Sequence, residues 1–144
     1  MKKYVLFLLA VVTFVSCDVR RKDKLADGAV LPVEINVKDS TTVQIIDSLY
    51  NFGKVVEGEK VIYNFRFKNS GTKPLIITNT RASCGCTVAE KPEKPIAPGE
   101  TSFIKVVFNS MGKVGVNEKA ITVSSNASPA FPTLLLKGEI SKSK

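Results

Sequence analysis

Cys84, Gly85 and Cys86 form the one short segment of this 144-residue chain whose residue types can do covalent or metal chemistry. In a flat strand, residues two apart point to the same face with α-carbons roughly 6.5 Å apart, near the upper limit for a disulfide. Gly85 between them lets the backbone tighten, and a ring closed that tightly is more readily reduced, as a redox role requires. Arg81 upstream is placed to favour a thiolate. Two thiolates also suit Cu(I), a soft ion content with few ligands, and Met111 offers a thioether. Zinc needs four ligands, which here means two chains or carboxylates such as Glu90. A third reading is purely structural, with the pair shaping a loop as a local disulfide or as two small hydrophobes. The residues leave all three readings open.

The rest of the composition narrows the chemistry. The chain has no histidine, which removes Ser-His-Asp and Cys-His catalysis, the commonest general base and the commonest zinc ligand. Glu57 and Glu59, near Lys54 and Lys60, read as a solvated turn rather than a carboxylate pair. No catalytic residue and no cofactor are expected, so the chain reads as a non-enzyme.

The third cysteine belongs to a different feature. Lys2 and Lys3 precede an apolar run from Tyr4 to Val15, followed by Ser16 and Cys17. A charged start, a short apolar core and a small-residue cleavage site make a secretory signal. Twelve helical residues reach about 18 Å against the roughly 30 Å of a bilayer core, so the run is too short to span. Cys17 after Val15-Ser16 resembles a bacterial lipoprotein signal, although Phe14 stands where such signals usually carry Leu. Lipidation of Cys17 by palmitate-class acyl chains would anchor the protein, since each buried methylene contributes about 0.8 kcal/mol and stable anchoring takes more than one chain. Plain secretion with a stray Cys17 thiol is the alternative. Asp18 resembles an inner-membrane retention signal of some bacteria, and the expected location is the cell envelope, on the outer or inner membrane, facing the periplasm or the surface.

Residues 1–16 therefore read as signal peptide, 17–40 as lipidated cysteine and tether, and 41–144 as one domain. Losing Lys2 and Lys3 lowers the net charge from +8 to +6. That surplus is scattered, and an exported chain without basic clusters is not expected to bind nucleic acid. The tether mixes five basic and five acidic residues between Asp18 and Asp39, with a short alternation at Val33, Ile35 and Val37.

Beyond residue 42 the pattern becomes short alternating runs between turns. Val61, Tyr63, Phe65 and Phe67 alternate with Ile62, Asn64, Arg66 and Lys68, giving a strand with one buried face. Further strands are predicted at Val43–Ile46, Leu75–Thr80, Cys86–Ala89, Thr101–Phe108, Lys119–Ser124 and Thr133–Ile140. Asn69-Ser70-Gly71 reads as a turn taking positive φ, and Pro98-Gly99 as a type II turn. Gly53 is expected to relieve a bend beside a buried Phe52. Tyr63, Phe65, Phe67, Phe103 and Phe108 are assigned to packing. About seven short strands with no sustained helical period predict an all-β, immunoglobulin-like antiparallel sandwich, with a closed barrel as the competing architecture.

Asn51-Phe52-Gly53, Lys68-Asn69-Ser70-Gly71, Ser83-Cys84-Gly85-Cys86-Thr87, Ala97-Pro98-Gly99-Glu100 and Lys137-Gly138-Glu139-Ile140 resemble, in order and spacing, a bacterial family of exported domains, domain of unknown function 1573. The likeness covers about residues 43–140, with Asn51 standing where an acidic residue is more usual. It implies a Hydin-type or major-sperm-protein-like immunoglobulin fold, often on lipoproteins, and no assigned reaction.

Two functions are carried forward. One is a lipid-anchored interaction or accessory module that presents loops to an unknown envelope protein or glycan, with Arg81, Ser83, Thr87, Lys91 and Lys94 as candidate contact residues. The other is a thiol-redox or copper-binding protein centred on Cys84 and Cys86. Asp39-Ser40-Thr41 and Asp47-Ser48-Leu49 resemble O-glycosylation triplets, and Asn126-Ala127-Ser128 has the N-glycosylation pattern. Oligomeric state carries no sequence flag.

Overall fold

A computed structural model describes residues 39–143. The signal segment, Cys17, most of the tether and the alternation at Val33, Ile35 and Val37 lie outside the described residues. Eight strands follow in order: β1 (Val43–Ile45), β2 (Leu49–Val56), β3 (Lys60–Asn69), β4 (Ile77–Ala82), β5 (Thr87–Glu90), β6 (Thr101–Asn109), β7 (Gly115–Ser125) and β8 (Leu134–Ser141). They form two four-stranded sheets, β1-β3-β6-β5 and β2-β8-β7-β4, so the architecture is an all-β sandwich and the barrel is excluded.

Two expectations need correction. The strand count is eight, because Leu49–Val56 is a strand that its broken alternation hides, with Gly53 and Lys54 exposed in its middle. The pairing is also not wholly antiparallel, since β2 runs parallel to β8.

The core follows from the period-2 pattern. Val61, Phe65 and Phe67 of β3 and Ile104, Val106 and Phe108 of β6 point inward and meet Ile121, Val123, Leu134, Leu136 and Ile140 from the facing sheet. Burying such side chains contributes about 1.5–3 kcal/mol each. Aromatic contacts tie the layers together: Tyr50 of β2 stacks on Tyr63 of β3 with centroids 3.8 Å apart, and Phe52 of β2 meets Phe108 of β6 at 6.0 Å. Phe103 departs from its assignment to packing and faces outward from β6, nearly half exposed.

One end of the sandwich is closed by a polar knot. Asn69, fully buried at the end of β3, donates to the carbonyls of Lys73 (2.7 Å) and Ile96 (2.9 Å) and accepts from Thr41 Oγ1 (3.0 Å) and the Gly71 amide (3.1 Å). Asn126 donates to Asp39 and Pro74 carbonyls and accepts from the Ile76 amide. That amide nitrogen is buried and occupied, so the N-glycosylation pattern at Asn126 is a packing element. Thr41 is likewise buried within its Asp-Ser-Thr triplet.

The turns hold two different reasons for glycine. Gly99 takes φ +80°, and Glu100 N–H donates to Ala97 C=O at 3.0 Å, as the type II reading of Pro98-Gly99 requires. Gly71 does not take positive φ. A Cβ there would lie 2.1 Å from Thr41 Oγ1 and 2.6 Å from the Thr42 amide nitrogen, so close approach of the first described segment excludes a side chain.

On the outer face, Asp47 accepts from Arg66 Nε at 2.7 Å and Nη2 at 3.2 Å. This pairing holds the Asp47 carboxyl below the usual range. A lowered folded pKa contributes stability that is present at neutral pH and lost on acidification through the folded value. Arg66 is largely exposed although Asp47 is mostly covered, so solvent screening keeps the pair's share small.

Candidate functional site

β4 and β5 belong to different sheets, and the chain crosses between them through Ser83–Cys86. The crossing is fixed on both sides. Ser83 N–H donates to the Ala120 carbonyl at 2.9 Å, and its hydroxyl accepts from the Ala120 amide at 3.1 Å. Thr87 N–H returns to the Cys84 carbonyl, closing a turn, and Asn109 N–H donates to the Cys86 carbonyl at 3.0 Å. Within this turn the Cys84 and Cys86 α-carbons lie 5.3 Å apart and the sulfurs are joined as a disulfide. The turn draws the pair closer than a flat strand allows. Gly85 does so without positive φ, and a Cβ there would meet nothing within 4 Å.

Both cysteines are half-buried, and Cys86 packs against the core. Thr87, expected on the loop's contact surface, points inward at 5 % exposure. Its hydroxyl lies 3.4 Å from Cys84 Sγ and 4.0 Å from Cys86 Sγ. It supports the disulfide from beneath and offers no surface to a partner. Ser83 is exposed but engaged with Ala120. Arg81, Lys91 and Lys94 are exposed.

Beside the disulfide lies a hollow of about 320 Å³ on the outer face of the β1-β3-β6-β5 sheet, lined by Lys60, Cys86, Val88, Val107, Asn109 and Met111. Val88 and Val107 in its wall continue into Ile62 beside it: Ile62 of β3 pairs with Val107 of β6, which pairs with Val88 of β5. These side chains form an apolar row across three strands on the face where water is expected. Ile62, Val88 and Met111 are each more than half exposed. Sequence reasoning missed this row. Ile62 on a face otherwise made of Asn64, Arg66 and Lys68 was its single local signal.

Strand addition at β5 is discouraged. The strand is four residues long, and Thr80 Oγ1 reaches across from β4 to cap its Ala89 carbonyl at 2.6 Å. Short, covered edges resist pairing. A second hollow, about 390 Å³, lies on the other sheet around Gly53 and Gly138. Its Lys54 and Glu139 are paired at 3.0 Å, and it holds no thiol.

Among the described residues no group of three or more His, Cys, Asp or Glu side chains is arranged to hold a metal ion, and no helix is long and apolar enough to cross a membrane. The disulfide adds little to the fold. A cross-link closing a ring of only three residues restricts the unfolded chain weakly, by about 1.5 kcal/mol in the chain-entropy account. Replacing both Cys84 and Cys86 with Ser is therefore expected to lower stability by about 1–2 kcal/mol and leave the fold intact. Urea unfolding followed by far-UV circular dichroism checks this, and a loss above about 4 kcal/mol would return the pair to a mainly structural role.

Comparison with known proteins agrees with this fold. No curated protein matches the sequence. A protein of unknown function from Porphyromonas gingivalis W83 superposes with a TM-score of 0.61 at 13 % identity, over 72 % of this chain and 49 % of its own. The present chain thus spans about half the length of that protein. The seventh PapD-like domain of human CEP192, an ASH domain, gives 0.50 at 12 % identity, over 74 % of this chain and 89 % of that one. At such identities the likeness shows the immunoglobulin-like fold alone. The family model for a protein of unknown function, DUF1573, matches residues 43–140, from the first residue of β1 to the penultimate residue of β8, and the chain belongs to that family.

Proposed function

We propose that this protein is a lipid-anchored, non-enzymatic interaction or accessory module of the cell envelope, held at the membrane through Cys17 and presenting one sheet face to an envelope protein or glycan. The observation that carries this reading is the apolar row Ile62–Val107–Val88, continued by Met111, on an outer sheet face. Exposed apolar patches rimmed by polar side chains commonly mark contact surfaces. The rim here is supplied by Lys60, Asn64, Asn109 and the Lys105–Glu90 pair at 3.1 Å. Arg81, Lys91 and Lys94 are exposed on neighbouring segments, and the absence of histidine from the sequence supports a binding role over hydrolysis.

In-cell photo-crosslinking tests the reading. Probes at positions 62 and 88 are expected to capture one shared adduct, lost when the probe at 62 is combined with Val88→Asp. A probe at Val116, an exposed valine on the other sheet, should not capture it. Equal capture of abundant neighbours from all three positions would overturn the reading. The second reading, thiol or copper chemistry at Cys84 and Cys86, is favoured by the position of Cys86, which packs against the core on one side and lines an open hollow on the other.

A further inference from the structure

The geometry points to a reduction-gated Cu(I) site, in which the Cys84 and Cys86 thiolates and the Met111 thioether bind one ion in the hollow beside β5. Cys86 and Met111 lie 25 positions apart in sequence yet line the same hollow. One residue couples them. The Asn109 amide donates to the Cys86 carbonyl at 3.0 Å, and the Asn109 side-chain oxygen accepts from the Met111 amide at 3.1 Å. The loop carrying Met111 is held on both sides of it. Ser110, fully buried, donates its hydroxyl to the Val56 carbonyl, and the Gly112 amide donates to Glu57 Oε1 at 2.9 Å. The Met111 backbone is therefore fixed while its side chain, more than half exposed and with three rotatable bonds, can swing toward the cysteines.

The chemistry of the donors selects the ion. Thiolates and a thioether are soft ligands that favour Cu(I), which accepts two or three donors. Zinc would want a fourth, and the hollow supplies no carboxylate or imidazole. Two thiolates around one Cu(I) leave a single negative charge, and Lys60 in the wall is placed to balance it.

In the disulfide form the two sulfurs are spent on each other. A dithiol reductant delivers two electrons and two protons, leaving as its own disulfide and releasing Cys84 and Cys86 as thiols. Cu(I) then displaces the two thiol protons to solvent. Thiol–disulfide exchange with an oxidised dithiol partner reverses the process: that disulfide takes the two electrons and, with two protons from solvent, leaves as a dithiol, while the Cys84–Cys86 bond re-forms and the ion is released. This site does not depend on the docking reading.

The test is anaerobic Cu(I) titration of the full chain carrying Cys17→Ser, with bicinchoninate as the competing chromophore, before and after reduction by a phosphine that is then removed. Reduced protein is expected to take one Cu(I) per chain and the disulfide form none. Met111→Leu, at an exposed position where folding is not at stake, is expected to weaken binding by at least the roughly 10–100-fold that even outer-shell changes cost at metal sites. X-ray absorption should show three sulfur neighbours in the parent and two in this variant. Equal affinity of parent and Met111→Leu would overturn the proposal. So would tight binding by the disulfide form, or unchanged binding in a folded Cys84→Ser/Cys86→Ser variant.

Discussion

Asn69→Ala is expected to destabilise the domain by about 4 kcal/mol, far more than an asparagine beside a turn would ordinarily cost. The side chain is fully buried and makes four hydrogen bonds: two donated to the Lys73 and Ile96 carbonyls, two accepted from Thr41 Oγ1 and the Gly71 amide. Truncation does not harm these partners equally. Ile96 C=O still accepts from the Leu75 amide at 2.9 Å. No other hydrogen bond described for Thr41 Oγ1 replaces the lost one, and a buried group left without a partner costs about 1–3 kcal/mol. A small cavity adds to this. For a domain of about 100 residues, 4 kcal/mol corresponds to a fall in Tm of roughly 15–30 °C. Asn69→Asp should not rescue it, because the carboxylate keeps the acceptors, loses both donors and buries a charge. Urea unfolding monitored by circular dichroism measures the loss, and a value below about 1 kcal/mol would show that the knot is closed by backbone bonds alone.

The placement of this knot bears on function. β3 carries Lys60 in the wall of the hollow at one end and Asn69 in the knot at the other, about 30 Å apart for a ten-residue strand. The end that is rigidly satisfied is therefore remote from the end where the disulfide, Met111 and the apolar row meet. Conformational change at the hollow, such as reduction of the disulfide, need not disturb the Asn69 and Asn126 bonds that pin the first described residues to the sandwich.

Much of this fold can be read in the sequence, and the failures share a cause. Wherever one strand face was buried and the other wet, as along Val61–Lys68 and Thr101–Phe108, alternation located the strand to within a residue or two. β2 escaped because its period is interrupted: Phe52 sits between Asn51, paired with Lys137, and Gly53, paired with Gly138, as an extra residue in the ladder. A bulge shifts the alternation by one, so a pattern built on period two reads the strand as a loop. Asn69 and Asn126 failed differently. Each stands in a turn-like cluster, where asparagine usually signals local backbone preference, and only the tertiary fold reveals that its amide is spent on distant carbonyls. The site was half legible. Cys-Gly-Cys declared itself, whereas its apolar neighbours required the register of β3, β6 and β5, which no single segment encodes.

Gly138→Ala is expected to cost about 3 kcal/mol, from overpacking against the same bulge. A Cβ at this position would lie 2.3 Å from two ring carbons of Phe52 and 2.7 Å from the Gly53 carbonyl oxygen. The ring is a movable side chain, half-buried, with its centroid 6.0 Å from that of Phe108. The carbonyl belongs to a residue held at φ +69° and tied by its amide to Asn51 Oδ1 at 2.9 Å, so it yields less easily. The two obstacles separate in a double-mutant cycle. Phe52→Ala alone should cost about 2 kcal/mol, less than a fully buried phenylalanine because the ring is partly exposed. If the ring is the main obstacle, removing it makes room for the new methyl, and the double variant should be about 2 kcal/mol more stable than the sum of the singles. Additivity within about 0.5 kcal/mol would instead place the whole cost on the Gly53 carbonyl. The β2–β8 parallel pair would then be held in register by backbone contact at the bulge, and glycine at 138 would be required there whatever residue stood at 52.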